Sequence, residues 1–138
     1  MKTIWLLLVA VLLAACNFSV SANRGVEIEG GQSIQERAAF AESVAAAVRA
    51  SDLGEAVLAE CPSLSTADLN GLSVTSKLMV SKEATGDERG RTDIFVHCSF
   101  KYNGDFDIAE GVVELCKKHV EATVNRLRED GARRPTSR

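Results

Sequence analysis

The chain has 138 residues, 46% of them hydrophobic and 25% charged, with 16 basic against 19 acidic side chains. That length suits one domain, and the apolar share suits a folded body in contact with water rather than a disordered chain. A net charge of −3 supplies no global positive field to gather nucleic acid, and nothing in these figures selects an activity.

Met1-Lys2-Thr3 carries one positive side chain, and Ile4 to Ala15 is an unbroken apolar run. In a helix such a run reaches only about 18 Å, short of a ~30 Å hydrocarbon layer. Residues 1–15 therefore read as a cleaved export signal. The run closes on Leu13-Ala14-Ala15-Cys16, a branched apolar residue, two small ones and a cysteine. This segment, and this segment alone, resembles the lipobox of bacterial lipoproteins. The resemblance implies that the Cys16 thiol is joined to a diacylglycerol, that the chain is cut ahead of it, and that the freed amine is acylated. Asn17 in the next place implies onward transport to the outer membrane, with the domain facing the periplasm. Three acyl chains exceed the two signals that stable anchoring requires. Ordinary cleavage after Val20-Ser21-Ala22 is the alternative, and it releases a secreted or soluble periplasmic protein. On either route the only tryptophan, Trp5, leaves with the signal.

Residues 16–32 are rich in Asn, Ser and Gly and read as a flexible tether behind the acylated cysteine, with Val26-Glu27-Ile28-Glu29 as an alternative short edge strand. Ser33-Ile34-Gln35-Glu36 is a capping box and predicts a helix start. Phe40, Val44 and Val48 recur every four residues beside Ala41, Ala45 and Ala47, which gives that helix an apolar face of small side chains. Leu53 to Glu60 predicts a second short helix with Leu53, Val57 and Leu58 inward, stopped before Pro62.

After the turn-rich 63–71 the period changes to two. Leu72, Val74, Ser76, Leu78 and Val80 share one strand face; Ile94, Val96, Cys98, Phe100 and Tyr102 share another, opposite Asp93, Phe95, His97, Ser99 and Lys101. The two strands predict an antiparallel hairpin joined by the charged, Gly-containing loop Ser81–Arg91. A turn at Asn103-Gly104 precedes a long helix, capped by Asp107 with Glu110 three residues on and stopped at Gly131. The expected fold is thus α+β in two layers, a hairpin covered by an N-terminal and a long C-terminal helix over 33–130, followed by a basic, disordered tail at 131–138.

Three cysteines remain for the folded part: Cys61, Cys98 and Cys116. In an oxidising compartment two of them are expected to pair. Counting back from the reversal at 103–106, Cys98 lies about 13 Å along the strand and Cys116 about 13.5 Å along the helix, so the two are level. Cys98–Cys116 is the candidate disulfide, with Cys61 the competing partner. A soft metal site from Cys98, Cys116 and His119 is a weaker alternative, and Cys116 with His119 lacks an orienting third group for nucleophilic catalysis. Asn103, Asp105, Asp107 and Glu114 match several places of a calcium loop, but Ile108 stands where its glycine is required.

No catalytic constellation is recognisable, no cofactor is implied, and no nucleic-acid partner is expected. The expected role is a membrane-anchored module that binds a protein partner, such as an assembly factor or an immunity protein. Its candidate docking face is Met79 and Phe95 on the uncovered side of the hairpin.

Overall fold

The computed structural model describes residues 19–30, 33–81 and 91–133. The expected signal at 1–15, Cys16, residues 82–90 of the expected loop and residues 134–138 of the expected tail lie outside the described residues. The fold is α+β, a three-stranded antiparallel sheet with helices on one face. In chain order it comprises β1 (Val20–Glu27), α1 (Ile34–Arg49), α2 (Leu53–Glu60), a 3-10 turn (Asp68–Gly71), β2 (Leu72–Ser81), β3 (Arg91–Tyr102) and α3 (Phe106–Arg133). The strand order is β1-β3-β2, which puts β3 in the centre and leaves β1 and β2 at the edges.

Alternation with period two builds β3 as expected. Ile94, Val96, Cys98 and Phe100 are buried on the helix side, while Phe95, His97 and Ser99 on the other side are only half-buried. The hairpin register pairs Leu72 with Phe100, Val74 with Cys98 and Met79 with Asp93.

Within the described residues the tether expected over 16–32 gives way to the alternative, a third edge strand, which is Val20–Glu27 and so begins six residues earlier than the Val26–Glu29 expected. Its pairing with β3 runs from Val20 opposite Tyr102 to Glu27 opposite Phe95, and Ile28 N–H extends the ladder to the Ile94 carbonyl at 2.8 Å. Ala22 and Ile28 are buried beneath the helices. Arg24 shares their side of the sheet, where its guanidinium donates to Glu114 at 2.7 Å and to Glu110 at 3.1 Å on α3. A strand this polar holds because its inward charge meets two carboxylates rather than hydrocarbon.

Ser33 caps α1 as its sequence predicts, its hydroxyl accepting from the Glu36 amide at 3.2 Å. Ala41, Val44, Ala45 and Val48 form its buried stripe, with Phe40 half-buried at the margin. The small alanines let α1 approach the sheet closely. The long helix differs at both ends from expectation. Asp105, not Asp107, caps it, accepting from the Asp107 amide at 3.0 Å, and the helix continues through Gly131 to Arg133. Gly131 lacks the positive φ of a helix-stopping glycine. The core face of α3 carries Ala109, Val112, Val113, Cys116, Val120 and Val124. The buried Thr123 hydroxyl is satisfied by the His119 carbonyl at 2.7 Å.

The end of the sheet where β1 begins is tightly built. A Cβ on Gly71 would collide with the Lys101 carbonyl oxygen, and one on Gly104 would sit 2.5 Å from the Tyr102 ring. At Gly71 the obstacle is backbone, so only glycine fits; at Gly104 any larger residue would have to push the Tyr102 ring aside. Among the described residues no helix is long and apolar enough to cross a membrane.

Candidate functional site: the cysteine pair, the open sheet face and the edge of β2

Cys98 on β3 and Cys116 on α3 face each other across the core and are joined, with Cα atoms 6.2 Å apart. Both are fully buried, so the bond ties sheet to long helix in the interior. Among the described residues Cys61, half-exposed at the end of α2, is the free cysteine. With both thiols consumed, the three-ligand site from Cys98, Cys116 and His119 is not assembled. The His119 ring instead places Nδ1 3.1 Å from its own helix's Leu115 carbonyl and Nε2 3.9 Å from the Asp52 carboxylate. The calcium-loop residues are likewise committed elsewhere, Asp105 to the α3 cap and Glu114 to Arg24. No group of three or more His, Cys, Asp or Glu among the described residues is placed to hold a metal ion.

The sheet face away from the helices is open. Across it run the rows Glu27–Phe95–Lys77, Gly25–His97–Thr75 and Asn23–Ser99–Ser73. Phe95 and Met79 share this face, as their alternation predicts, but their surroundings differ. A Cβ built on Gly25 would meet Phe95 Cδ1 at 3.5 Å and His97 Cδ2 at 3.7 Å. The two rings therefore lie over the bare backbone of an edge-strand glycine, a covering role for Phe95 within the sheet. Burial, and secondarily the charge of Lys77, hold the His97 imidazole below its usual range.

Met79 belongs to a different feature. Leu78, Met79 and Val80 are consecutive in β2 and 54%, 58% and 62% exposed. Successive side chains point to opposite faces, so this apolar segment is bare on both. β2 is also an edge, and among the described residues the side-chain contacts that guard it lie in its first half. Arg49 of α1 donates to the Val74 carbonyl at 2.7 Å and to Glu42 at 3.0 Å, and the other Glu42 oxygen accepts from Ser76 at 2.7 Å. That network holds the Glu42 carboxyl below its ordinary range, the Ser76 hydroxyl first and Arg49 second. Past Ser76 come the exposed Lys77 and then the exposed apolar Leu78, Met79 and Val80. Leu78 and Val80 share the strand face of Val74, as the alternation predicts, but the extent of helical cover, which decides their exposure, is not written in the strand.

Comparison with protein-family models, with curated proteins and with solved structures finds no match to this chain.

Proposed function

We propose that the chain is an exported lipoprotein, anchored through acyl chains on Cys16, whose small domain binds a protein partner at the bare end of β2. The observation that carries the anchored reading is the position of β1. Cleavage after Ala22 would remove Val20, Ser21 and Ala22 from the strand, together with their pairing to Tyr102, Lys101 and Phe100. It would also take a buried core residue with it, since Ala22 is 3% exposed. A cut ahead of Cys16 leaves the whole strand in the mature chain. A processing site inside a folded edge strand is a poor fit, and one four residues upstream of it is a good fit.

The binding role rests on the edge of β2. A strand edge that no described residue guards, with apolar side chains on both faces, is the feature that partners extend by adding a strand. The rival reading, a secreted soluble protein with a Cys/His metal site, loses two thiolates to the disulfide.

Intact mass of the processed protein tests the anchor. The expected species begins at acylated Cys16, and Cys16→Ala abolishes that processing; a mature chain beginning at Asn23 refutes the proposal. For the binding edge, a photo-crosslinking amino acid at Met79 is expected to give one discrete adduct in the envelope that the same probe at the exposed Ala39 of α1 does not. Identical adducts at both positions would remove β2 as the docking edge.

A further inference from the structure

β1 begins at Val20, four residues after Cys16. Even fully extended, four residues span at most about 14 Å. A folded body on so short a leash has one end fixed against whatever holds the cysteine. Resting on the acylation of Cys16, we propose that the end of the domain formed by Lys101–Phe106 and the Asp68–Gly71 turn lies against the headgroups of a zwitterionic phospholipid bilayer, with Phe106 seated among them. The end carrying Leu78–Val80 then points away from the membrane.

The topology locates both ends. Val20 pairs with Tyr102, the last residue of β3, and the turn from Asn103 to Asp105 leads at once into Phe106 at the start of α3. Phe106 is 46% exposed although it is a large apolar residue. Four residues before it, at the end of β3, Tyr102 stands half-buried, stacked on Phe100 with ring centroids 5.6 Å apart. Aromatic side chains at the headgroup level are favourably placed, part in hydrocarbon and part in water. Asp68, Asp105 and Asp107 occupy the same end with Lys101, so its charge balance does not favour anionic lipid. The leash holds the surface in place, and Phe106 gives it a foothold. Met79 pairs with Asp93, nine strand residues from Tyr102, which places it about 30 Å from the anchored end.

The mature chain contains no tryptophan, Trp5 being in the signal, so Phe106→Trp and Met79→Trp each introduce a single probe at an exposed position. The acylated full chain carrying either substitution is reconstituted into phosphatidylcholine vesicles, with or without bromine on the upper acyl carbons. Fluorescence of Phe106→Trp is expected to fall by about twofold in the brominated vesicles, as for an interfacial aromatic, and that of Met79→Trp to stay unchanged. Equal quenching of the two, or stronger quenching of Met79→Trp, in a protein whose mass shows acylated Cys16 overturns the orientation and leaves the anchor standing. A mature chain that starts at Asn23, or carries no acyl group, overturns both. Inserting about ten Gly/Ser residues after Asn17 lengthens the leash and should bring the Phe106→Trp signal down to the Met79→Trp level; undiminished quenching would show that the short leash is not what sets the orientation.

Discussion

The Arg24 guanidinium in β1 and the Glu114 carboxylate in α3, ninety residues apart in sequence, meet at 2.7 Å. They hold an edge strand to the helix that covers it. Hydrogen bonding to Arg24, ahead of the charges of Lys117 and Arg24, keeps the Glu114 carboxyl below its ordinary range, and Arg24 is correspondingly raised, by Glu114 first and Glu110 second. A depressed carboxylate stabilises the fold above its unfolded pKa, about 4.3, and that contribution is lost as pH falls through the lower folded value. Arg24→Gln is therefore expected to lower the urea midpoint at pH 7 and to make less difference at pH 3. Hydrogen exchange should place the loosened amides in Val20–Glu27.

His97 titrates with the opposite charge but the same sign of slope. Its imidazole is held below the usual range, by burial first, so the fold prefers the neutral ring and unfolding takes up a proton. Stability from this source is complete above about pH 6.5 and declines as pH drops through that value toward the folded pKa. His97→Gln should flatten the dependence of the urea midpoint between pH 7.5 and 5. An unchanged slope would assign the dependence to other groups.

Cys98 and Cys116 are separated by 18 positions, and closing a loop of that size in the unfolded chain is worth about 3 kcal/mol. Replacing both by alanine should cost about that much in equilibrium unfolding. Cys61→Ala, at a half-exposed position with no bond to lose, should stay within about 0.5 kcal/mol of wild type.

Phe95 and Met79 are separable by stability alone. Phe95→Ala uncovers the Gly25 backbone that its ring lies against and should destabilise by about 1 to 2 kcal/mol. Met79→Ser, at a side chain 58% exposed, should change stability by less than about 0.5 kcal/mol. If Met79 belongs to a docking edge, its substitution reduces crosslinking without altering the unfolding curve.

Much of this architecture is legible in the amino-acid sequence where the signal is local. Ser33 and Glu36 mark a helix start by side-chain chemistry three residues apart, and Ile94, Val96, Cys98 and Phe100 alternate without interruption because β3 is the central strand with one face buried. The level placement of Cys98 and Cys116 follows from rise per residue on either side of one turn. β1 is legible only at its end, where Val26-Glu27-Ile28-Glu29 alternates. Its inward positions read Val20, Ala22, Arg24, Val26, and the arginine breaks the apolar alternation; the carboxylates that make it an acceptable inward residue arrive only at Glu110 and Glu114. Asn23 and Gly25 add to the look of a linker, although the first is an outward strand residue and the second is roofed by Phe95. At the candidate site the apolar character of Met79 is visible in sequence, whereas its isolation depends on Arg49 and Glu42 guarding the edge only as far as Ser76. Gly131 misleads for a related reason: nothing at the exposed end of α3 requires the left-handed turn that would stop it.

The pairing of β1 with β3 also constrains when the domain can form. Val20 waits for Tyr102 and Glu27 for Phe95, contacts of high sequence separation that close late in folding. On the proposed export route, a chain threaded N-terminus first delivers β1 early and its partner strand, which ends at Tyr102, only when roughly three-quarters of the polypeptide has passed. Until then α1 has no sheet to bury its alanine stripe against, and the segment in transit stays threadable. The central strand β3 thus sets the timing, deferring assembly of the sheet until about three-quarters of the chain has been delivered.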